Sequence, residues 1–423
     1  MVAVEEEVGS LRLLKRQIAK KLVSEENSVD KRIFLMISAS TFLIMLGAGI
    51  VVPILPRYAE SFEASYLSVG FTISAFGLAR IITDIPSGTL SDRVGRRPSI
   101  LLGTTIFAAS GLLAAYATSI KHLIAARFLQ GVGAAIYTTS ALAYIADILP
   151  STRKGRYIGY YQSSFFLGSA FGPSLGGLLA SIGGLKLPFL ALSTLSLVST
   201  LATYRGLVPS ASKVEVVHQQ KRIPSVITAV LRSRSIIVSC VAAATTFILS
   251  TAIRFTLLPI YSEKILNLSE VEVGLVLTLI ALVNFLMMSR AGLIADKFGA
   301  EATMIYGFMF SGLTTALYAL SFDLPTLLTV SCSFGVATSL IAPAQVSLVV
   351  EASDPKHRGL SLGVYRVFSD IGFIVGPLLS GTLIEFLPIT YAFYSIACIS
   401  FCTAFFICLM RKRDLVSSST ATS

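Results

Sequence analysis

This chain of 423 residues has no tryptophan, three histidines and five cysteines, and charged side chains make up only 13% of it. Each scarcity excludes something. Globular domains average about 25% charged residues, so a chain this poor in charge cannot present an ordinary soluble surface. The histidines (His122, His218, His357) stand apart, in loops or at helix ends, and no clustered nucleophile–base constellation accompanies them; an enzyme is not expected. No G-x-x-x-x-G-K-[ST] run occurs, so the phosphate cradle that ATP-driven pumping needs is missing. The cysteines (Cys240, Cys332, Cys398, Cys402, Cys408) all fall inside apolar stretches, with no loop pair to bridge. They read as small packing residues, and no disulfide, metal site or cofactor is expected.

What the chain has instead is apolar length. Hydrophobic residues make up 54% and the mean hydropathy is +0.77. About 20 residues suffice to span a bilayer as a helix, and such stretches fall at 33–56, 66–90, 99–118, 122–148, 157–181, 187–207, 236–259, 271–295, 302–320, 325–350, 359–384 and 388–410. They lack the strict alternation of lipid-facing strands, so an all-α membrane protein of twelve transmembrane helices is expected, not a barrel. The expected organisation is a tail (1–32), a six-helix bundle (33–207), a polar basic linker (208–235), a second six-helix bundle (236–410) and a C-terminal tail (411–423).

The net charge of +11 is explained by sidedness. The even-numbered loops, the linker and both tails hold most of the cations, whereas the odd loops hold only Arg57, Lys121, Lys186 and Lys264. By the positive-inside rule both termini are expected in the cytoplasm of a multi-pass cell-membrane protein, and no nucleic-acid partner is expected. The first residues lack an apolar h-region before Lys31, so no signal peptide is read there. Residues 11–22 read either as a basic amphipathic helix on anionic lipid or as a solvated tail.

The chain repeats itself. Gly88-Thr-Leu-Ser-Asp92-Arg93-Val-Gly95-Arg96-Arg97 returns 204 residues later as Gly292-Leu-Ile-Ala-Asp296-Lys297-Phe-Gly299. At the same offset Gly168, Gly172, Pro173 and Gly177 recur as Gly372, Gly376, Pro377 and Gly381, and Asp147 recurs as Glu351. Near the start the offset is 203, pairing Pro56 and Tyr58 with Pro259 and Tyr261. Transporter folds built from repeated halves bind substrate between them.

Four motifs carry chemistry. In the first, Asp92 at a helix end beside Arg93, Arg96 and Arg97, framed by Gly88 and Gly95, can form charge-assisted hydrogen bonds that latch neighbouring helices; Asp147 is counted with it. The second copy keeps Asp296 and Gly299 but has Lys297, Ala300 and Glu301 where the arginines stood, so it reads as a weaker latch. In the second, Arg127 with Gln130, Gly131 and Gly133, an arginine within a span must face protein or water. It serves either a cavity or neighbouring carbonyls. The third, Gly168, Gly172, Pro173, Gly176 and Gly177, combines small residues for close helix approach with a proline bend. The fourth is Leu46, Gly47, Pro53 and Pro56 in the first span.

Other ionisable residues inside the spans are few. Arg80 with Asp84, and Arg366 with Asp370, are spaced i,i+4 and can pair along one helix face. Asp84 sits about 12 Å deeper than Asp92 at 1.5 Å per residue, and with Asp370 it is a candidate proton site, though each pair could equally be a self-neutralised structural element. Arg254, at the repeat position of Val51, can present a second cation beside Arg127. Tyr58, Tyr137, Asn284 and Gln345 are candidate wall residues.

These motifs resemble the major facilitator superfamily over nearly the whole chain, and the third and fourth resemble its twelve-helix drug:proton antiporters. The resemblance implies a monomeric secondary transporter of small molecules working by alternating access, with Arg127 facing the central cavity. Proton-coupled efflux is its leading implication, and a facilitator or symporter importing an anionic metabolite or sugar-like solute is the alternative. The first span carries no acid between Ile33 and Leu55, which departs from antiporters that use a carboxylate there.

Overall fold

The structure is a computed structural model that describes residues 32–148, 154–207, 233–353 and 358–421. The basic 11–22 segment and most of the expected linker lie outside the described residues. The described chain is helical throughout, in the order Arg32–Val51 continued by Leu55–Glu60, then Tyr66–Val94, Arg96–Ala115, Ile120–Ile148, Lys154–Gly183 and Leu187–Gly206. A second series follows: Arg234–Thr251 running through a π turn (Ala252–Leu257) into Leu258–Lys264, then Glu270–Phe298, Ala300–Tyr318, Leu324–Ala352, Arg358–Phe386 and Ile389–Ala421. Counting each broken helix once gives twelve spans, numbered first to twelfth below.

Eleven of these are long and apolar enough to cross a membrane. The ninth, Ala300–Tyr318, is diluted by Glu301, Thr303, Ser311, Thr314 and Thr315. Those hydroxyls are buried, and Ser311 bonds Ser400 Oγ at 2.9 Å, so the polar content faces protein and not lipid. The twelfth helix runs on to Ala421, through residues expected as a tail.

Helix ends follow their sequences. Ser65 caps the second span by accepting from Ser68 N–H, Ser269 and Glu272 form a capping box on the eighth, and Asp323 caps the tenth through Thr326, each satisfying amides that would otherwise be orphaned. Gly95 (φ 104°) and Gly299 (φ 87°) occupy the left-handed turn after the second and eighth spans, a conformation that costs a side chain and not glycine.

Two large hydrophobic cores form among the described residues, one from residues 33–207 and one from residues 238–407, with a small third cluster around Ile236 and Cys240. The two large cores are built alike. Tyr58 packs on Phe189 and donates to Ala114 C=O at 2.9 Å; Tyr261 packs on Phe393 and donates to Ser321 C=O at 2.7 Å. The expectation that Tyr58 and Tyr137 line a cavity is therefore corrected. Both are buried inside the first core, Tyr137 bonded to Thr41 at 2.6 Å, because an apolar ring with one hydroxyl is well served by a core site offering a single partner. Gln345 is likewise no wall residue: it is buried, donates to Thr246 at 2.7 Å and accepts from Tyr365.

The cores meet along two equivalent seams. A Cβ on Gly70 would clash with the Pro377 carbonyl, and one on Gly274 would clash with the Pro173 carbonyl. Gly381 likewise abuts Tyr66 C=O, and Gly177 abuts Glu270 C=O. Every partner in one seam is the 204-residue repeat of its counterpart in the other. Ser74 adds a hydrogen bond to Ile374 C=O at 2.7 Å on one seam, and Ser174 to Thr278 Oγ1 at 2.7 Å on the other.

Candidate functional site

The odd loops gather at one end of the bundle, where the halves are clasped by ions. Arg57 of the first half pairs with Glu263 at 3.1 Å and with Glu270, both of the second. In return Lys264 of the second half pairs with Glu60 at 2.9 Å and donates to Tyr66 Oη at 2.8 Å, its ammonium 4.7 Å from the Tyr66 ring centroid. The receivers are repeat equivalents: Glu60 matches Glu263 at offset 203, and Tyr66 matches Glu270 at offset 204. Each half thus offers one cation to the same pair of positions on the other. Glu385 closes the end further by accepting from Tyr66 N–H at 2.9 Å. We call this the sealed end.

At the opposite, latch end, Arg96 bonds both Asp92 and Asp147, the latter at 2.8 Å. Arg97 donates to Tyr204 C=O at 2.7 Å and lies over the Tyr204 ring, while Arg93 is exposed. Second, third, fourth and sixth spans are thereby tied together inside the first half. The second copy differs. Asp296 and Lys297 are exposed and Asp296 forms no ion pair among the described residues; Glu301 instead meets Arg234 at 3.8 Å.

Between the ends, the glycines of the fifth span present two faces. Gly168, Gly172 and Gly176 lie against the first span, at Phe42 C=O, Gly49 and Ile50 C=O, whereas Pro173 and Gly177 lie on the eighth span of the other half. One motif therefore serves both packing inside a half and contact across the seam.

The charged residues of the centre come together in two groups. Arg80 pairs with Asp84 at 3.7 Å along the second span. Asp370, expected to pair along its own helix, forms no ion pair there among the described residues; it is partly buried and lies within electrostatic reach of Arg80 and Asp84 across the seam as well as of Arg366. The exposed Arg366 is also within electrostatic reach of Tyr161 and Tyr365. The two i,i+4 pairs are thus one inter-half cluster, because the second and eleventh spans approach at glycine distance. The other group is aromatic and cationic. Arg127 is buried, bonds Gln130, and lies 5.0 Å from the Phe76 ring centroid. Phe76 meets Phe373 at 6.0 Å, and Phe373 meets Phe255 at 5.8 Å. Arg254, beside Phe255, sits in the π turn and faces Tyr318, whose hydroxyl bonds Ser331, the repeat position of Arg127. Asn284 donates to Thr338 at 2.9 Å within the second half. Sequence reasoning missed the phenylalanine bridge: with 26 phenylalanines in the chain, no spacing singles out these three.

Twelve spans in two cores, joined by small-residue seams with charged and aromatic groups between them, define a multi-pass membrane transporter of small molecules. The family model of the Major Facilitator Superfamily matches residues 37–292 and 244–422, and the chain belongs to that family. It is 29% identical over 370 residues to an uncharacterized MFS-type transporter of Methanocaldococcus jannaschii, covering 85% of this chain and 93% of that one. It is 26% identical over 381 residues to multidrug resistance protein 2 of Bacillus subtilis, covering 88% and 93%. Among solved structures, a bacterial homolog of the human lysosomal transporter Spinster, inward-facing and unoccupied, superposes with a TM-score of 0.75 at 15% identity, covering 90% of this chain and 95% of that one.

Proposed function

We propose that this transporter exports small organic molecules from the cell in exchange for protons, by alternating access of residues 33–207 against residues 236–410. It acts as a monomer in the cell membrane, with both termini cytoplasmic and the sealed end outward. The observation that carries this reading is the ionic clasp: reciprocal ion pairs join the halves at one end, whereas the Arg96 pairs of the latch end tie helices of the first half to one another. On this reading the clasped end is the closed one, and substrate enters from the cytoplasmic end. The efflux direction is supported by the complete glycine–proline motif of the fifth span and by the similarity to multidrug resistance protein 2.

The proton is carried by the inter-half cluster of Arg80, Asp84, Arg366 and Asp370. Protonating a carboxylate there removes a charge that bridges the seam, which changes the relative energy of the two states by the lost attraction. Purified protein in proteoliposomes with an internal pH dye should show substrate-dependent proton movement, lost in Asp84→Asn and Asp370→Asn. Undiminished proton movement in both variants would refute the coupling.

A further inference from the structure

The centre of the molecule has more positive charge than its own carboxylates can neutralise. Four arginines (Arg80, Arg127, Arg254, Arg366) and two aspartates (Asp84, Asp370) lie there, and both aspartates belong to the Arg80 cluster. That cluster is internally neutral, so Arg127 and Arg254 are the surplus, and neither forms an ion pair among the described residues. A guanidinium held in a span without a counter-charge is costly. Arg127 also keeps Nε without a hydrogen-bond partner, as does Gln130 at Nε2, although both side chains are more than nine-tenths buried (6% and 3% exposed). These are donors waiting for an acceptor.

From Arg127 the phenylalanine bridge runs across the seam to Phe255, the residue after Arg254. Phe76 covers Arg127, Phe373 joins it across the seam, and Phe255, a residue of the second half, packs against the core of the first. Aromatic faces and edges favour a planar ring partner, and a guanidinium fork favours a carboxylate or another planar oxyanion. Arg254 sits on a π turn, a local break that re-aims a side chain without ending the helix, and it remains partly exposed whereas Arg127 is covered.

From these positions we infer that the substrate is an aromatic organic anion, its negative group taken by Arg254 and, once Phe76 and Phe373 part, by Arg127 and Gln130, with its ring against the phenylalanine bridge. The inference rests on the transporter reading above and deepens it. It names a charge class that sequence motifs alone leave open.

The test compares three probes of one shape: 2-naphthoate, neutral 2-naphthamide and cationic 2-naphthylmethylammonium, titrated calorimetrically into purified full-length protein in detergent. 2-Naphthoate should bind at least tenfold tighter than either other probe. That preference should vanish in Arg254→Gln, persist in Arg254→Lys at reduced affinity, and survive in Phe373→Leu with weaker binding of all three. Equal affinity for the three probes, tighter binding of the ammonium, or unchanged 2-naphthoate binding in Arg254→Gln would overturn the inference. If Arg254→Gln does not fold, the order of the three probes on the unaltered chain decides alone. Proton movement with other compounds but no charge preference would sink this inference and leave efflux standing; charge-selective binding without proton movement would do the reverse.

Discussion

Arg57→Gln should open the sealed end. Arg57 is the cation that forms ion pairs with Glu263 and Glu270 among the described residues, and the three side chains are 42%, 33% and 24% exposed, so solvent screens each pair and each contributes only about 0.2–1 kcal/mol. Two pairs lost, together with two glutamates left facing one another near Glu60, amount to about 1–2 kcal/mol favouring separation. That is a change of roughly 5–30-fold in the ratio of open to closed ends. Lys264→Gln should act in the same direction but less, because Lys264 holds one carboxylate and one tyrosine where Arg57 holds two carboxylates. The assay is a distance distribution between spin labels at Lys186→Cys and Phe322→Cys, exposed loop positions on opposite halves at this end. Exposed Cys398 and Cys402 are first replaced by serine. A growing long-distance population in Arg57→Gln, larger than in Lys264→Gln, is expected. An unchanged distribution, or a larger effect from Lys264, would refute the clasp as the element that holds this end shut.

Three further outcomes follow from particular contacts. Gly176→Ala places a methyl against the Ile50 carbonyl and should lower stability by about 1–3 kcal/mol, whereas Gly363→Ala, with nothing within 4 Å, should be neutral or gain up to about 1 kcal/mol of helix propensity; thermal unfolding in detergent compares them. Asp92→Asn removes the carboxylate that Arg96 shares with Asp147 and should impair transport in proteoliposomes far more than Asp296→Asn, equal losses showing the two latches to be equivalent. Asp323 is held below its ordinary value of 3.8 by the hydroxyl and amide of Thr326, so its cap is fully present above that value and is lost as pH falls through the depressed one. The melting-temperature difference between the unaltered chain and Asp323→Ala should therefore be constant at neutral pH and shrink only in that acid range.

How much of this was legible beforehand depends on whether a contact is local, repeated or neither. The twelve spans were, because hydropathy is a sum over some 20 neighbours; only the ninth falls short, where buried hydroxyls dilute it. The Asp92–Arg96 bond follows from i,i+4 spacing, and the seams from the recurrence of Gly177 and Pro173 as Gly381 and Pro377. The equivalence of Glu60 and Glu263 was available in the same offset. What was not available was their cross-pairing with Lys264 and Arg57, since neither cation has a cationic repeat partner. Arg366 and Asp370 show the opposite error. Spacing predicts a pair, but the two form no ion pair among the described residues, and the eleventh span comes close enough to the second that Asp370 is within electrostatic reach of Arg80 and Asp84.

The repeat distributes labour in the molecule. The seams share their closest backbone contacts, glycine on proline carbonyl on both sides, while their side-chain hydrogen bonds differ, Ser74 to Ile374 C=O on one and Ser174 to Thr278 on the other. A preference for one state must come from elements that break the symmetry, and beyond the seams these lie at three levels. At the sealed end the clasp has three carboxylates to two cations; at the latch end only the first half holds the Arg96 bridge; in the centre Arg127 has Ser331 as its repeat counterpart, while Arg254 approaches the Tyr318–Ser331 pair from a different helix. On the proposed reading, an anion bound between Arg127 and Arg254 and a proton taken by the Asp84–Asp370 cluster act on opposite signs of charge in neighbouring places. A bound anion lowers the electrostatic cost of protonating a nearby carboxylate, so charge alone favours loading the two together; exchange requires that anion and proton favour opposite states of the seam they share.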